Sequence, residues 1–428
     1  LKLLDKYEEK NAERRKKEEK TGTRQNMSCN RHLPIALLLM TCSPIALLAA
    51  PDPPLPGNSE QEKSEQGIRY GEKGLEFGTE DDSTFLWFGI RLQGRYDSLP
   101  GSLSSAADLD GSDADNWDLK RGRIKSGGHI FSKSIQIYSE YDFTTETLLD
   151  YKLTLRPSDN YGFRFGQWKS EFNRERIDSS GKQQFVDRSL SNYWFTLDRQ
   201  TGVGASARLW PGQSFDSSVW LEYLSGRGRG VGFDSDYGLG MLRWQWNPNG
   251  EVLGFGQSDL ERSNQAISGV SLVAAHGKSP FTRFSSSGGG QIPGLDSGDY
   301  RITQAMLETA YRWRGLSWQQ ELHWKDLKNL GSGEHRSLLG GYAQLGAFPS
   351  EFSAGIPDPL ELTARVAWVD PDTSMSSDHQ WEWMIGANWY FKGHRSKLSA
   401  DLAYLDFDDP VTQSNSAWRF RLQWDVSF

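Results

Sequence analysis

Only two cysteines, Cys29 and Cys42, occur in the 428 residues, and both lie before residue 50. From residue 51 onward the chain can hold neither a disulfide nor a thiolate metal site. Beyond residue 50 it also lacks the roughly 18 apolar residues in a row with which a helix crosses a bilayer. Any membrane crossing there must be made by strands. Histidines beyond residue 50 are few and scattered: His129, His276, His323, His335, His379 and His394 show no His-x-x-x-His spacing. His276 and Ser279 come nearest to a hydrolytic pair, but they sit at a loop edge without a third partner. Neither catalysis nor a bound cofactor or metal is expected. An excess of positive charge is missing too: the formal net charge is −8, and residues 51–428 alone carry −12. That balance excludes a generic polycation and argues against nucleic-acid binding.

The N-terminal region reads as processing signals rather than fold. Residues 1–26 are dense in Lys, Glu and Arg and are expected to be an extension upstream of the natural start. A signal peptide is expected over 27–50, with Met27, Arg31, an apolar run from Leu33 to Leu48, then Ala49-Ala50. Residues 51–83, rich in Pro, Glu, Gln and Lys at first, read as a periplasmic leader.

What the chain does have is aromatic residues: 17 Trp, 15 Tyr and 21 Phe beside 44 Gly. The mean hydropathy is nevertheless polar, which suits a thin lipid-facing skin around a hydrated interior better than a large dry core. The final segment shows the pattern most clearly. Trp418, Phe420, Leu422, Trp424, Val426 and Phe428 alternate with Arg419, Arg421, Gln423 and Asp425, so a strand would present one apolar face and one charged face.

Comparable alternating segments recur at 84–96, 118–131, 133–143, 147–156, 160–168, 200–210, 214–224, 236–247, 266–276, 301–313, 315–326, 337–348, 359–369, 381–391, 395–407 and 416–428. Val252–Ser258 is left out because bacterial barrels have even strand numbers. The prediction is an all-β transmembrane antiparallel β-barrel of about sixteen strands over 84–428. The long segments 97–117, 169–199, 225–235 and 277–300 then share one end.

Cations recur on the inward parity: Arg91 and Arg95, then Arg121, Arg123 and Lys125, then Arg156 and Arg164, and finally Arg419 and Arg421. If the last strand pairs with the first, six of these arginines form a basic wall. Guanidinium groups compensate a dehydrating anion with charge-assisted, often bidentate hydrogen bonds. The alternative is that they pair crosswise with lumen acids such as Glu140, Asp142, Glu222 and Asp425. Segment 169–199 is too long for an idle surface loop. It carries Lys169, Arg174, Arg176, Lys182 and Arg188 together with acids and aromatics, and is expected to fold into the lumen as a constriction. Loop 97–117 is acidic and solvated. Gly226-Arg227-Gly228-Arg229-Gly230 is a flexible basic loop with no strand–helix unit to make it a dinucleotide fingerprint.

On these residues the chain resembles the phosphate-selective porin O and P family. The resemblance runs through Gly74-Leu75-Glu76-Phe77, Arg121-x-Arg123, Gly166-Gln167-Trp168-Lys169, Gly340-Gly341-Tyr342-Ala343-Gln344-Leu345-Gly346 with Pro349, Gly386-x-Asn388-Trp389-Tyr390-Phe391 and the terminal Arg421 to Phe428. It implies a bacterial outer-membrane barrel of sixteen strands, usually a homotrimer embedded in outer-membrane lipid. A third loop would be folded into the pore, and an arginine ladder would lead to a basic constriction. The family's concentrated lysine cluster is not found here. The expected function is passive conduction of small anions, phosphate or polyphosphate foremost. A weakly selective general diffusion porin is the first alternative. The second is a barrel that anchors a partner or the envelope through 51–83.

Overall fold

The computed structural model describes residues 67–98, 116–408 and 415–428. The expected upstream extension, the signal peptide, the first part of the leader and most of the acidic first loop lie outside these residues. Within the leader, β1 (Gly67–Gly71) and β2 (Gly74–Gly78) form a hairpin that the sequence pattern did not predict.

The wall follows from period-two alternation. Its sixteen antiparallel strands are β3 (Phe85–Ser98), β4 (Asn116–Ile130), β5 (Ser132–Asp142), β6 (Thr147–Ser158), β7 (Tyr161–Lys169), β8 (Arg199–Leu209), β9 (Ser217–Leu224), β10 (Gly238–Trp246), β11 (Ile267–Ser279), β14 (Tyr300–Trp313), β15 (Leu316–Asn329), β16 (His335–Ala347), β17 (Leu360–Asp370), β18 (Gln380–Tyr390), β19 (Ser396–Phe407) and β20 (Asn415–Ser427). The short β12 (Arg283–Ser285) and β13 (Gly288–Gly290) make a separate hairpin in the β11–β14 loop. All sixteen predicted segments are strands, and Val252–Ser258 is not.

Closure comes from β20 pairing with β3, Arg421 opposite Asp97 and Ser427 opposite Arg91. Phe428 completes the seam, exchanging backbone hydrogen bonds with Ile90 at 2.9 and 2.6 Å. The hairpin continues this line, with β2 pairing with the first residues of β3.

Side chains of outward parity, such as Leu221, Leu242 and Ile385, are exposed apolar groups that lipid covers. Toward the long-loop end an aromatic girdle runs across six strands. It steps from Trp368 to Trp381, Trp383, Tyr404 and Trp418, and continues through Phe420, Tyr96 and Trp117. Tight turns occupy the opposite end. Arg314-Gly315 turns with both residues at positive φ, 46° and 78°, the conformation that matches strand twist in a two-residue hairpin.

The interior corrects one expectation. It is not a hydrated lumen throughout, because a large part is dry. Segment 170–198 folds inward as predicted, with two short helices, α1 (Arg174–Ile177) and α2 (Leu190–Phe195). Its Phe172, Phe185, Leu190, Trp194 and Phe195 are buried against inward residues of β10–β19 such as Met241, Met306, Leu338 and Val369. Two wall glycines make room for it. A Cβ at Gly340 would lie 2.6 Å from Phe195, and one at Gly346 would lie 1.9 Å from Gln184.

The long connection 247–266 reaches the loop from the opposite end. Gln257 accepts a hydrogen bond from the Gln184 backbone N–H at 2.7 Å and donates to the Gln183 side chain at 2.8 Å.

Candidate functional site

Beside the infolded loop, on the long-loop side, lies a cavity of about 460 Å³ lined by nine basic and three acidic side chains. Three local features bring the bases there. The first is strand parity, which turns Arg123, Arg419 and Arg421 inward. The second is a β-bulge in β4: Gln93 pairs with Arg121 but Gly94 with Leu119. An extra residue lets sequence neighbours face the same side, so Lys120 and Arg121 both line the cavity. The third is the infolded chain itself, which brings Arg176 and Arg188.

Most of the predicted wall is already neutralised. Arg95 pairs with Asp187 at 3.0 Å and hydrogen-bonds Gln423. Arg123 is held by Glu140 at 2.7 Å and by Asp142 at 2.6 Å. Arg419 pairs with Asp97, Arg164 with Glu171, and Arg421 with Asp401 at 2.8 Å. Arg91 donates to Ser179 at 3.0 Å and Ser180 at 2.6 Å, with Asp425 at 4.0 Å. The crosswise pairing set out as an alternative is thus the geometry of these six.

The loop bases divide similarly. Arg176 pairs with Asp198. Arg174 is fully buried on the other side of the loop, 2.9 Å from Glu308, and does not reach the cavity. Lys169 donates to the carbonyls of Ile177 and Asp178. Lys182 and Arg156 are exposed, and Lys125 is partly buried; none of the three lines the cavity.

Four cavity guanidiniums have no carboxylate at ion-pair distance among the described residues. Arg121 makes one bond, to Gln93 Oε1 at 2.9 Å. Arg188 donates only to backbone carbonyls, of Glu175 at 2.9 Å and Asp178 at 2.8 Å among others. Arg229 also reaches only carbonyls, the nearer being that of Ser286 at 2.8 Å. Arg283 lies over the Tyr193 ring, 4.1 Å from its centroid. Conversely, the three cavity acids are all engaged: Asp142 with Arg123, Asp187 with Arg95, and Glu382 with Arg365 at 3.0 Å.

Sequence reasoning missed Lys120, Arg229 and Arg283. The Gly-rich basic loop marked Arg229 as mobile and charged. Nothing local signalled where Arg283 would turn, and only a bulge placed Lys120.

The electrostatic surroundings of the loop agree with this charge map. Burial opposes ionisation of Asp187, yet Arg95, Arg121 and Arg421 hold its carboxyl well below the usual range. Burial and neighbouring Arg176 lower Arg188 to about 10, which leaves it cationic at neutral pH. Burial pushes the Glu175 carboxyl up to about 7; Arg365 opposes this and the Glu321 charge adds to it. The arrangement can take an anion by fork-shaped, charge-assisted hydrogen bonds without first breaking an ion pair.

A family model described as phosphate-selective porin O and P matches residues 111–423. No curated protein matches the sequence. Among solved structures, a loop-deletion mutant of OmpT, an outer membrane protein of Vibrio cholerae, is 12% identical at a TM-score of 0.54, covering 81% of this chain and 100% of its own. An anion-selective porin from Comamonas acidovorans is 11% identical at a TM-score of 0.52, with 81% and 100% covered. The outer membrane channel DcaP of Acinetobacter baumannii is 12% identical at a TM-score of 0.50, with 82% and 99% covered. At these identities the structural likeness is one of fold.

Proposed function

Since the chain belongs to the phosphate-selective porin O and P family and is an outer-membrane porin, we propose that it passively conducts small anions, with phosphate or polyphosphate as the preferred class. The observation that carries this reading is the excess of guanidinium without an ion pair among the described residues at the cavity: Arg121, Arg188, Arg229 and Arg283 face three acids that are each already paired. The predicted ladder then acts in two parts. Arg91, Arg95, Arg123, Arg164, Arg419 and Arg421 hold the loop and the wall in register through their acids. The unpaired set raises the local anion concentration and exchanges hydration for hydrogen bonds. Several moderate sites rather than one tight one allow an ion to leave as well as enter.

The neutralised wall supports a second reading, a weakly selective diffusion porin whose lumen charges cancel. Reversal potentials of the purified protein in planar bilayers across a KCl gradient separate the two. Anion-selective current that added phosphate reduces at low concentration supports the proposal, and ohmic, weakly selective current indifferent to phosphate supports the alternative.

Small anions as passengers, outer-membrane lipid around the wall and a homotrimeric assembly belong to the same proposal. The mass of the native detergent complex tests the assembly. N-terminal sequencing of the exported protein tests cleavage after the 27–50 signal.

A further inference from the structure

Asp370 ends β17, while Asp378 and His379 immediately precede β18, so all three meet at the base of the 371–379 loop. The ladder explains the meeting. Val369 pairs with Gln380, and one more antiparallel step sets Asp370 opposite His379. One possible ligand atom from each residue lies within 4.8 Å of the other two, and no other such trio occurs among the described residues.

A second, independent observation concerns hydrogen bonding. Asp378 is only 8% exposed, and its Oδ1 is buried without a donor; the same holds for Oδ1 of Asp370. A buried acceptor left unpaired is unfavourable, the more so when charged. Two carboxylates side by side add repulsion. Nearby Arg336 is already engaged, with Asp372 at 3.5 Å and with the carbonyls of Pro293 and Gly294.

We infer that Asp370, Asp378 and His379 form a divalent-cation site at the long-loop rim of the barrel. An imidazole beside two carboxylates favours Zn²⁺ or a similar borderline ion over Ca²⁺ and Mg²⁺, which prefer all-oxygen shells. Ligand atoms of a tetrahedral zinc site with bonds of about 2.1 Å lie about 3.4 Å apart, so occupancy needs the widest pair to close by up to about 1.4 Å, which the loop side chains can supply by rotation. Asp370 follows Trp368 on the outward parity of β17, just beyond the aromatic girdle. The site is therefore separate from the anion cavity. It would tie the two ends of the external loop together and leave a fourth coordination position for water.

The test is calorimetric titration of Zn²⁺ into untagged, EDTA-stripped full-length mature protein in detergent. Three variants, Asp370→Asn, Asp378→Asn and His379→Gln, are compared, with heat-modifiable gel migration confirming that each barrel is folded. One site per chain is expected, weakened at least about tenfold in every folded ligand variant and unchanged in His335→Gln. Absence of a saturable site in the wild type would overturn the assignment. Equal affinity in the wild type and the folded ligand variants would do the same.

Discussion

Along β3–β5 and β20 the inner wall carries Arg91, Arg95, Arg123, Arg419 and Arg421 with acids to match, whereas along β10–β19 it adds an apolar patch, Met241, Met306, Leu338 and Val369, beside buried ion pairs such as Arg243–Glu308 and Arg365–Glu382. The infolded loop lies between the two. It turns Phe172, Phe185, Trp194 and Phe195 to the dry half and Asp187 to the charged half. The difference teaches which half does what. Apolar burial supplies net attachment, at about 25 cal/mol per Å². Buried ion pairs return little beyond their desolvation cost and mainly fix register. Only guanidiniums outside such pairs remain to act on a passing ion.

Removing the dry anchor should have the largest effect. Phe195→Ala deletes a fully buried ring, and Gly340→Val puts side-chain atoms where that ring sits. Phe195→Ala is expected to weaken loop docking by about 3–5 kcal/mol and Gly340→Val by about 1–3 kcal/mol, seen as higher single-channel conductance and faster tryptic cleavage within 170–198. Unchanged conductance and cleavage would mean that the charged half holds the loop.

Next comes pH. The folded value of Glu175, about 7, stands above its ordinary 4.5. Its contribution to docking is therefore full below about 4.5 and is lost as pH rises through 7. The loss amounts to about 3 kcal/mol. Loop-dependent current noise should be greater at pH 9 than at pH 5, and Glu175→Gln should abolish the difference.

A smaller effect is expected at the cavity itself. A unit charge about 4 Å away in water contributes about 1 kcal/mol. Arg121→Gln, Arg188→Gln and Arg283→Gln should each reduce the anion-to-cation permeability ratio, by up to about fivefold. The smallest change is expected from removing a whole pair. Arg421→Gln with Asp401→Asn should leave selectivity almost as it was, whereas Arg421→Gln alone should lower it and destabilise the barrel by about 3–5 kcal/mol.

The sequence made the wall legible because period-two alternation is a local property. The sixteen segments follow from it, as does the apolar face of β20, while Val252–Ser258 is set aside by the even strand number of bacterial barrels. The site was legible only in outline. Arg95 and Asp187 are far apart in the chain, as are Arg419 and Asp97, and no local pattern announces such partners. The bulge that turns Lys120 inward is a one-residue slip in pairing, which alternation alone cannot anticipate. The dry half stayed hidden for a related reason. The loop's aromatics point to infolding, but the inward aliphatics of β10–β19 that receive them look unremarkable until the loop is inside.

The most direct test compares reversal potentials across a KCl gradient for three proteins: wild type, the Arg121/Arg188/Arg283→Gln triple variant, and the Arg421→Gln/Asp401→Asn pair variant. Anion selectivity that collapses in the triple variant and persists in the pair variant is the predicted result. Selectivity that survives the triple variant and falls in the pair variant would contradict the account and return the anion path to the paired arginine wall.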